Sequence, residues 1–293
     1  MSRRLKTWIM LSPAFFCLLL AECYADQTKM HLTLAILPCT DVVRNFKKFQ
    51  PLINYLQQQT ESNIEMIMPN SLAELKASLQ NGSIDFVLQD PHSYGMIADL
   101  YNKDSLLLAL TREGTTSQRG LIIARKDTGI RNVVDLKGKT VMFGPKLSIA
   151  KWIAARGVFS ENGIDIDKDL KTYINGGCCE DIAFNVYLRA VDAGVVCDHF
   201  LAEHSENQEE LGIDVKQIAI IATTKPAPTK VFAAGNQIGK DVVTRMERAL
   251  LALDRGNPEH ARILYPAELG GFLRPGAEEY DRIKDLINQG LEQ

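Results

Sequence analysis

"SLAELKASLQNGSIDFVLQDPHSYGMIADLY", residues 71–101, changes from helix to strand to helix within one run. Ser71 reads as an N-cap with Glu74 three residues on to complete a capping box, and Gly82 marks the far end of that helix. "DFVLQ" then reads as a strand, and Pro91 sits where the first turn of another helix should begin. Upstream, "HLTLAIL" (31–37) alternates like a strand, residues 42–59 follow with helical periodicity, and "NIEMIM" is a second strand. The order β-α-β-α-β implies a mainly parallel sheet with helices on both faces.

A second cycle follows. "RGLIIARKD", "KTVMFG", "LKTYI" and "DAGVV" read as strands, with helices over "LSIAKWIAARGVFSENG" and residues 180–190 between them. "IAIIAT" and "KVFAAG" return on either side of the proline-broken connector "TKPAPT", and helices from about Lys240 and about Ala277 finish the chain. The two cycles read as two similar lobes, the chain crossing near 118–124 and again near 222–230. A faint internal echo agrees. "SIDFVLQDPH" and "RAVDAGVVCDH" align on Asp85 and Asp192, which sets Asp90 opposite Cys197 and His92 opposite His199.

The first residues bear on the compartment. Arg3, Arg4 and Lys6 precede a mostly apolar run from Trp8 to Leu20, and "AECYA" offers small residues for cleavage after Ala25. Residues 1–25 are therefore expected to be a signal peptide, with residues 26–121 forming one lobe, 122–223 the second, and 224–293 returning to the first. The formal net charge is −3, and removing the signal takes three bases and one acid with it. A mildly acidic chain without a basic tract argues against nucleic acid as a partner. Cys17 and Cys23 leave with the signal, so Cys39, Cys178, Cys179 and Cys197 remain.

Several stretches together resemble the phosphonate-binding family of periplasmic substrate-binding proteins, the phosphonate/phosphite branch of ABC-transporter receptors. They are "AILPCTDVVRNFKKFQPLINYL", "SLAELKASLQNGSIDFVLQDPHSY", "GIRNVVDLKGKTVMFGP", "AVDAGVV" and "EEYDRIKDL", in the family's order. The resemblance implies an α/β, two-lobed periplasmic binding protein of type II-like form, with a hinge and an interlobe ligand cleft. It also implies that Tyr94, in the "P-x-S-Y" position, lines the cleft. The turn that in the family offers several hydroxyls to a tetrahedral anion is "GPKLSIAKW" here, with Ser148 alone remaining. Several lost donors at about 1 kcal/mol each should leave phosphonate and phosphite poorly bound. The family's histidine in the next loop is replaced by the cysteine pair.

All four mature cysteines lie at strand carboxyl ends, where open α/β sheets bind ligands. Cys39 belongs to the first lobe and the other three to the second. Cysteines kept for packing would scatter instead. The alternatives are two disulfides in an oxidising compartment, a zinc site extended by His199, or thiol redox chemistry, the last without a C-x-x-C motif. The remaining reading is a soft, thiol-seeking ligand. A helix N-terminus should ease deprotonation of Cys178 or Cys179, while Glu180 and Asp181 favour that helix end.

Neutral arsenous acid exchanges hydroxyls for up to three thiolates and needs no anion cradle. Arsenite sensors of this family report to a membrane histidine kinase, and the chain resembles that subgroup. The expected role is thus a periplasmic sensor binding arsenite through Cys39, Cys178, Cys179 and Cys197 as metalloid ligands, with Tyr94 and Ser148 in the cleft. Its expected partner is the periplasmic domain of a sensor histidine kinase or, alternatively, an ABC permease. Sulfur oxyanion sensing through cysteine is the nearest rival. No catalytic triad, phosphate loop or carboxylate pair suggests an enzyme, and no cofactor is expected.

Overall fold

The computed structural model describes residues 29–37, 42–200 and 212–276. The chain begins with β1 (His31–Ile36), α1 (Val42–Thr60), β2 (Asn63–Ile67), α2 (Leu72–Gln80), β3 (Phe86–Gln89), α3 (Pro91–Met96) and β4 (Tyr101–Leu110). The crossing strand β5 (Ser117–Gln118) leads to β6 (Gly120–Arg125) and β7 (Thr140–Phe143). A π-helical turn, Ile149–Ile153, runs directly into α4 (Ala154–Glu161), followed by β8 (Thr172–Asn175), α5 (Cys179–Tyr187), β9 (Ala193–Cys197) and β10 (Ile218–Thr223). The return crossing β11 (Ala227–Pro228) precedes β12 (Val231–Gly235), α6 (Lys240–Leu251), α7 (Pro258–Leu264) and β13 (Gly271–Leu273).

Two sheets result, ordered β13-β4-β12-β3-β1-β2 and β10-β6-β9-β7-β8, and they define the two lobes. The segments between them pair as an antiparallel two-stranded ribbon, β5 with β11. The expectation of mainly parallel sheets needs correction. β1 runs parallel to β2 and β3, and β7 parallel to β8 and β9, but β12, β4 and β13 pair antiparallel, as do β6 with β9 and β10. The returning chain enters the first sheet from the crossing, so β12 meets β3 head to tail. β4 had no clear sequence signal because Leu106–Ala109 are buried on both faces, which erases the alternation of a half-buried strand.

Each sheet is covered on both faces. In the first lobe Leu34, Phe86, Leu107 and Phe232 pack with α1 and α6, while Ala35, Val87, Leu108 and Ala233 point the other way, towards Leu75 of α2 and Tyr94 of α3. In the second, Ile122, Val141, Phe143 and Val195 meet Trp152 and Phe159, and Leu121, Ile123 and Val196 meet Ile182 and Val186 of α5. Period-two alternation of side chains produces this split. At Ser71 the hydroxyl accepts from Glu74 N–H at 3.1 Å, but the Glu74 carboxylate reaches Asn70 N–H, one residue short of a closed capping box.

The internal echo has a physical counterpart. Asp85 Oδ2 accepts the Thr33 amide at 2.8 Å in the first lobe, and Asp192 Oδ2 accepts the Thr140 amide at 2.8 Å in the second. In each lobe the acid that opens the third strand ties down the first. Asp90 and Cys197 therefore stand at corresponding places, one just after β3 and the other ending β9.

Candidate functional site

The opening of α5 decides how the second-lobe cysteines point. Gly176 and Gly177 both take positive φ, 139° and 77°, so the chain turns sharply off β8 without a Cβ penalty. Cys178 becomes the N-cap and Cys179 the first helical residue, facing inward. α5 then lies directly on β9, because Gly194 gives it room: a Cβ there would stand 2.4 Å from Ile182 Cγ2. That close approach brings Cys179 to Cys197. The Cys197 amide donates to Cys179 Sγ at 3.2 Å, and the two thiols hydrogen-bond each other.

Cys178, Cys179 and Cys197 are all buried and free. The Cys197 thiol, donating to Cys179, pulls the Cys179 pKa below the ordinary thiol value; burial opposes this, and the nearby charges of Lys151 and His199 assist it. Cys197 moves the other way, as the proton donor of the pair and a buried group. The pair behaves as one site holding one proton readily, with the negative charge on Cys179. Cys178 differs from the expectation for a helix start. Its amide and thiol both go to Asp181 Oδ2, at 3.2 and 3.3 Å, and burial together with the Glu180 charge pushes its pKa up. Local carboxylates override the helix end here.

The two lobes touch through polar contacts around these thiols. Lys48 of α1 reaches Glu180 of α5 at 2.9 Å and also binds Glu268 of its own lobe at 2.5 Å. His199, just past β9, places Nε2 3.7 Å from Glu268 Oε2. Burial disfavours the Glu268 charge, but the neighbouring His199 imidazole and the Lys48 and Lys230 charges hold its carboxyl well below the usual range. Asp90 accepts the His92 amide on Oδ1 at 3.0 Å and the Ile149 amide, from the opposite lobe, on Oδ2 at 3.3 Å. Burial raises Asp90 to about 6, against those two amides and the charges of Lys230 and Lys151. The cleft is shut.

Of the residues expected at the site, Cys179 and Cys197 come together and Cys178 turns to its own helix. Ser148 caps the next helix, its Oγ accepting Lys151 N–H at 3.3 Å. Tyr94 is buried on α3 and stacks on Tyr101 with ring centroids 5.0 Å apart. Cys39 lies outside the described residues. Among the described residues no three His, Cys, Asp or Glu side chains gather as a metal site. Sequence reading missed Lys48, Asp90, Lys151 and Glu268 as cleft residues. Asp90 carried a signal, its alignment with Cys197. Lys48 and Glu268 carried none, since they are 220 positions apart and meet only in the folded chain.

Among described residues no helix is long and apolar enough to cross a membrane; the expected signal peptide and the expected helix from Ala277 lie outside them. A tetrathionate sensor histidine kinase of Salmonella typhimurium is 24% identical over 221 residues, 69% of this chain and 36% of that protein, so the chain spans about a third of that relative's length. A phosphate-import protein of Mycolicibacterium smegmatis is 22% identical over 226 residues, 74% of this chain and 70% of that one. The fold is shared with PhnD1 of Prochlorococcus marinus, solved in complex with methylphosphonate, at TM-score 0.73, 17% identity, and coverage of 88% and 97% of the two chains. Residues 34–280 match a single family throughout. The chain belongs to the phosphonate-binding family of periplasmic substrate-binding proteins of ABC transporters.

Proposed function

We propose that this is a periplasmic sensory binding protein whose cleft takes a thiol-seeking ligand, arsenite, and whose closed form is read by the periplasmic domain of a sensor histidine kinase. The observation that carries this reading is the Cys179–Cys197 pair: two free thiols joined through the Cys197 amide on Cys179 Sγ, beside Glu180 and His199, which reach the other lobe. Arsenous acid would lose a hydroxyl as water for each thiol it joins, and soft thiolates are its preferred donors. Cys178, by rotating away from Asp181, and Cys39 are the candidates for a third thiolate. Kinship with a sensor histidine kinase supports signalling, and kinship with a phosphate-import protein equally supports an ABC permease as partner.

A second reading, a sulfur oxyanion, is favoured by the tetrathionate sensor relative and by Lys151 and His199 beside Cys179. Two thiols would reduce one tetrathionate to two thiosulfates and become a disulfide, releasing two protons. Anaerobic thiol counting separates the two. Arsenite should mask at least two thiols reversibly, restored by a competing dithiol and without thiosulfate. Tetrathionate consuming the same thiols with two thiosulfates per pair, while arsenite masks none, would establish the second reading instead.

A further inference from the structure

We propose that Asp90 sets the charge class of the ligand: its carboxylate occupies the amide end of the helix beginning at Ser148 and so bars anions from the cleft. This deepens the arsenite reading and rests on it only in taking this cleft as the ligand site. The helix is long enough to attract an anion, because the turn Ile149–Ile153 continues without a break into α4 and ends at Glu161. Amides at such an end, with the helix dipole behind them, are a natural seat for negative charge. Here the protein fills that seat itself. Ile149 N–H donates to Asp90 Oδ2 across the cleft, and Lys151 N–H is taken by Ser148 Oγ.

One carboxylate oxygen suffices for the acid's local duty. Asp90 Oδ1 caps α3 by accepting His92 N–H, which leaves Oδ2 to face the other lobe. Asp90 meets Ile149 across the lobes. Glu180, next to Cys179, and His199, two residues past Cys197, meet Lys48 and Glu268 across the same lobes, so the carboxylate and the thiol pair border one cleft. Lys151 acts electrostatically on Asp90, Cys179 and Cys197. Lys230 is the second cation acting on Asp90. An entering oxyanion would have to displace the carboxylate or sit against it, and like charges in contact are strongly selected against. A neutral molecule meets no such barrier. Without the Asp90 charge, the Ile149 amide would be left open to an anion, within the field of the Lys151 and Lys230 charges.

The test is calorimetry of the full chain with phosphite, methylphosphonate and arsenite, on wild type, Asp90→Asn and Asp90→Ser. Asparagine keeps an acceptor oxygen of the same reach, and serine keeps a capping hydroxyl, so one change covers for the other if folding suffers. Wild type should take up neither anion at millimolar concentration, and a folded variant should bind phosphite at least about tenfold more tightly. Tight phosphite binding by wild type, folded variants with no gain, or loss of folding in both variants would each overturn the proposal. Arsenite with wild type reports separately on the thiol reading. A phosphite gain beside an arsenite blank would sink that reading and leave the role of Asp90 standing.

Discussion

Replacing Cys197 by serine removes one soft donor and changes little else. The residue is buried at the end of β9, and its amide bond to Cys179 Sγ is made by the backbone, which the substitution keeps. The serine hydroxyl can still donate to Cys179, so the expected stability cost is about 1 kcal/mol. The ligand effect should be far larger. With the two thiols adjacent, the As–S bond to Cys197 closes intramolecularly, and such a linkage is worth about 10²–10⁴ in affinity over the complex that lacks it. Arsenite affinity by anaerobic calorimetry should fall by that factor, and the compaction it induces in small-angle scattering should vanish. Closure depends on differential affinity for the shut form, which the lost donor supplied. Affinity within about threefold of wild type, with the scattering change intact, would refute the reasoning. A wild type with no titratable thiols, together with a variant severely destabilised, would show instead that a disulfide was broken.

Lys48→Met should leave Glu180 and Glu268 facing each other without their shared cation, and weaken closure by about 1 kcal/mol, read as a loss of ligand affinity of about fivefold and a more open scattering profile. Gly194→Ala puts a methyl 2.4 Å from Ile182 Cγ2; α5 must lift from β9 at a cost of about 1–3 kcal/mol, and alkylation of Cys179 at neutral pH should slow as Cys197 moves away. Asp90 should also leave a mark on stability against pH. Its pKa rises from 3.8 to about 6 on folding, so between those values the folded chain keeps a proton that the unfolded chain has lost. Stability then falls as pH rises through that window, by up to about 3 kcal/mol. Asp90→Asn lacks this loss, so its melting temperature relative to wild type should climb from pH 4 to pH 7; a flat difference would contradict the assignment.

The lobes were legible because their strands keep the alternating or apolar patterns that burial demands, and because the N-cap Ser71 and the first-turn proline Pro91 punctuate the helices. β4 was hidden by its burial on both faces, and the antiparallel return of β12 by a property of topology that no local pattern encodes. At the site, placement at strand ends pointed to the cysteines, but side-chain direction did not follow from placement. Cys178 and Cys179 are neighbours, yet one turns to Asp181 and the other to Cys197, because the first is an N-cap and the second begins the inward face of α5. A helix start alone would treat them alike. The acids Glu180 and Asp181 likewise divide: Asp181 supports the helix end as expected, while Glu180 leaves it for Lys48 of the other lobe.

The cross-lobe contacts named at this cleft are polar, and that composition bears on how it can signal. Lys48–Glu180, His199–Glu268 and the Ile149 amide to Asp90 join one lobe to the other. Each such pair, near solvent once the lobes part, contributes on the order of 1 kcal/mol or less. Their sum is comparable to the cost of ordering the side chains that make them, so the open and shut forms should lie close in free energy. A few kcal/mol of ligand affinity specific to the shut form then suffices to move most of the population. The thiol pair is suited to supply it, since Cys179 adjoins Glu180 and Cys197 lies two residues before His199, and both of those side chains reach the other lobe. An apolar seam in the same place would hold the lobes together with or without ligand, and the protein would have nothing to report.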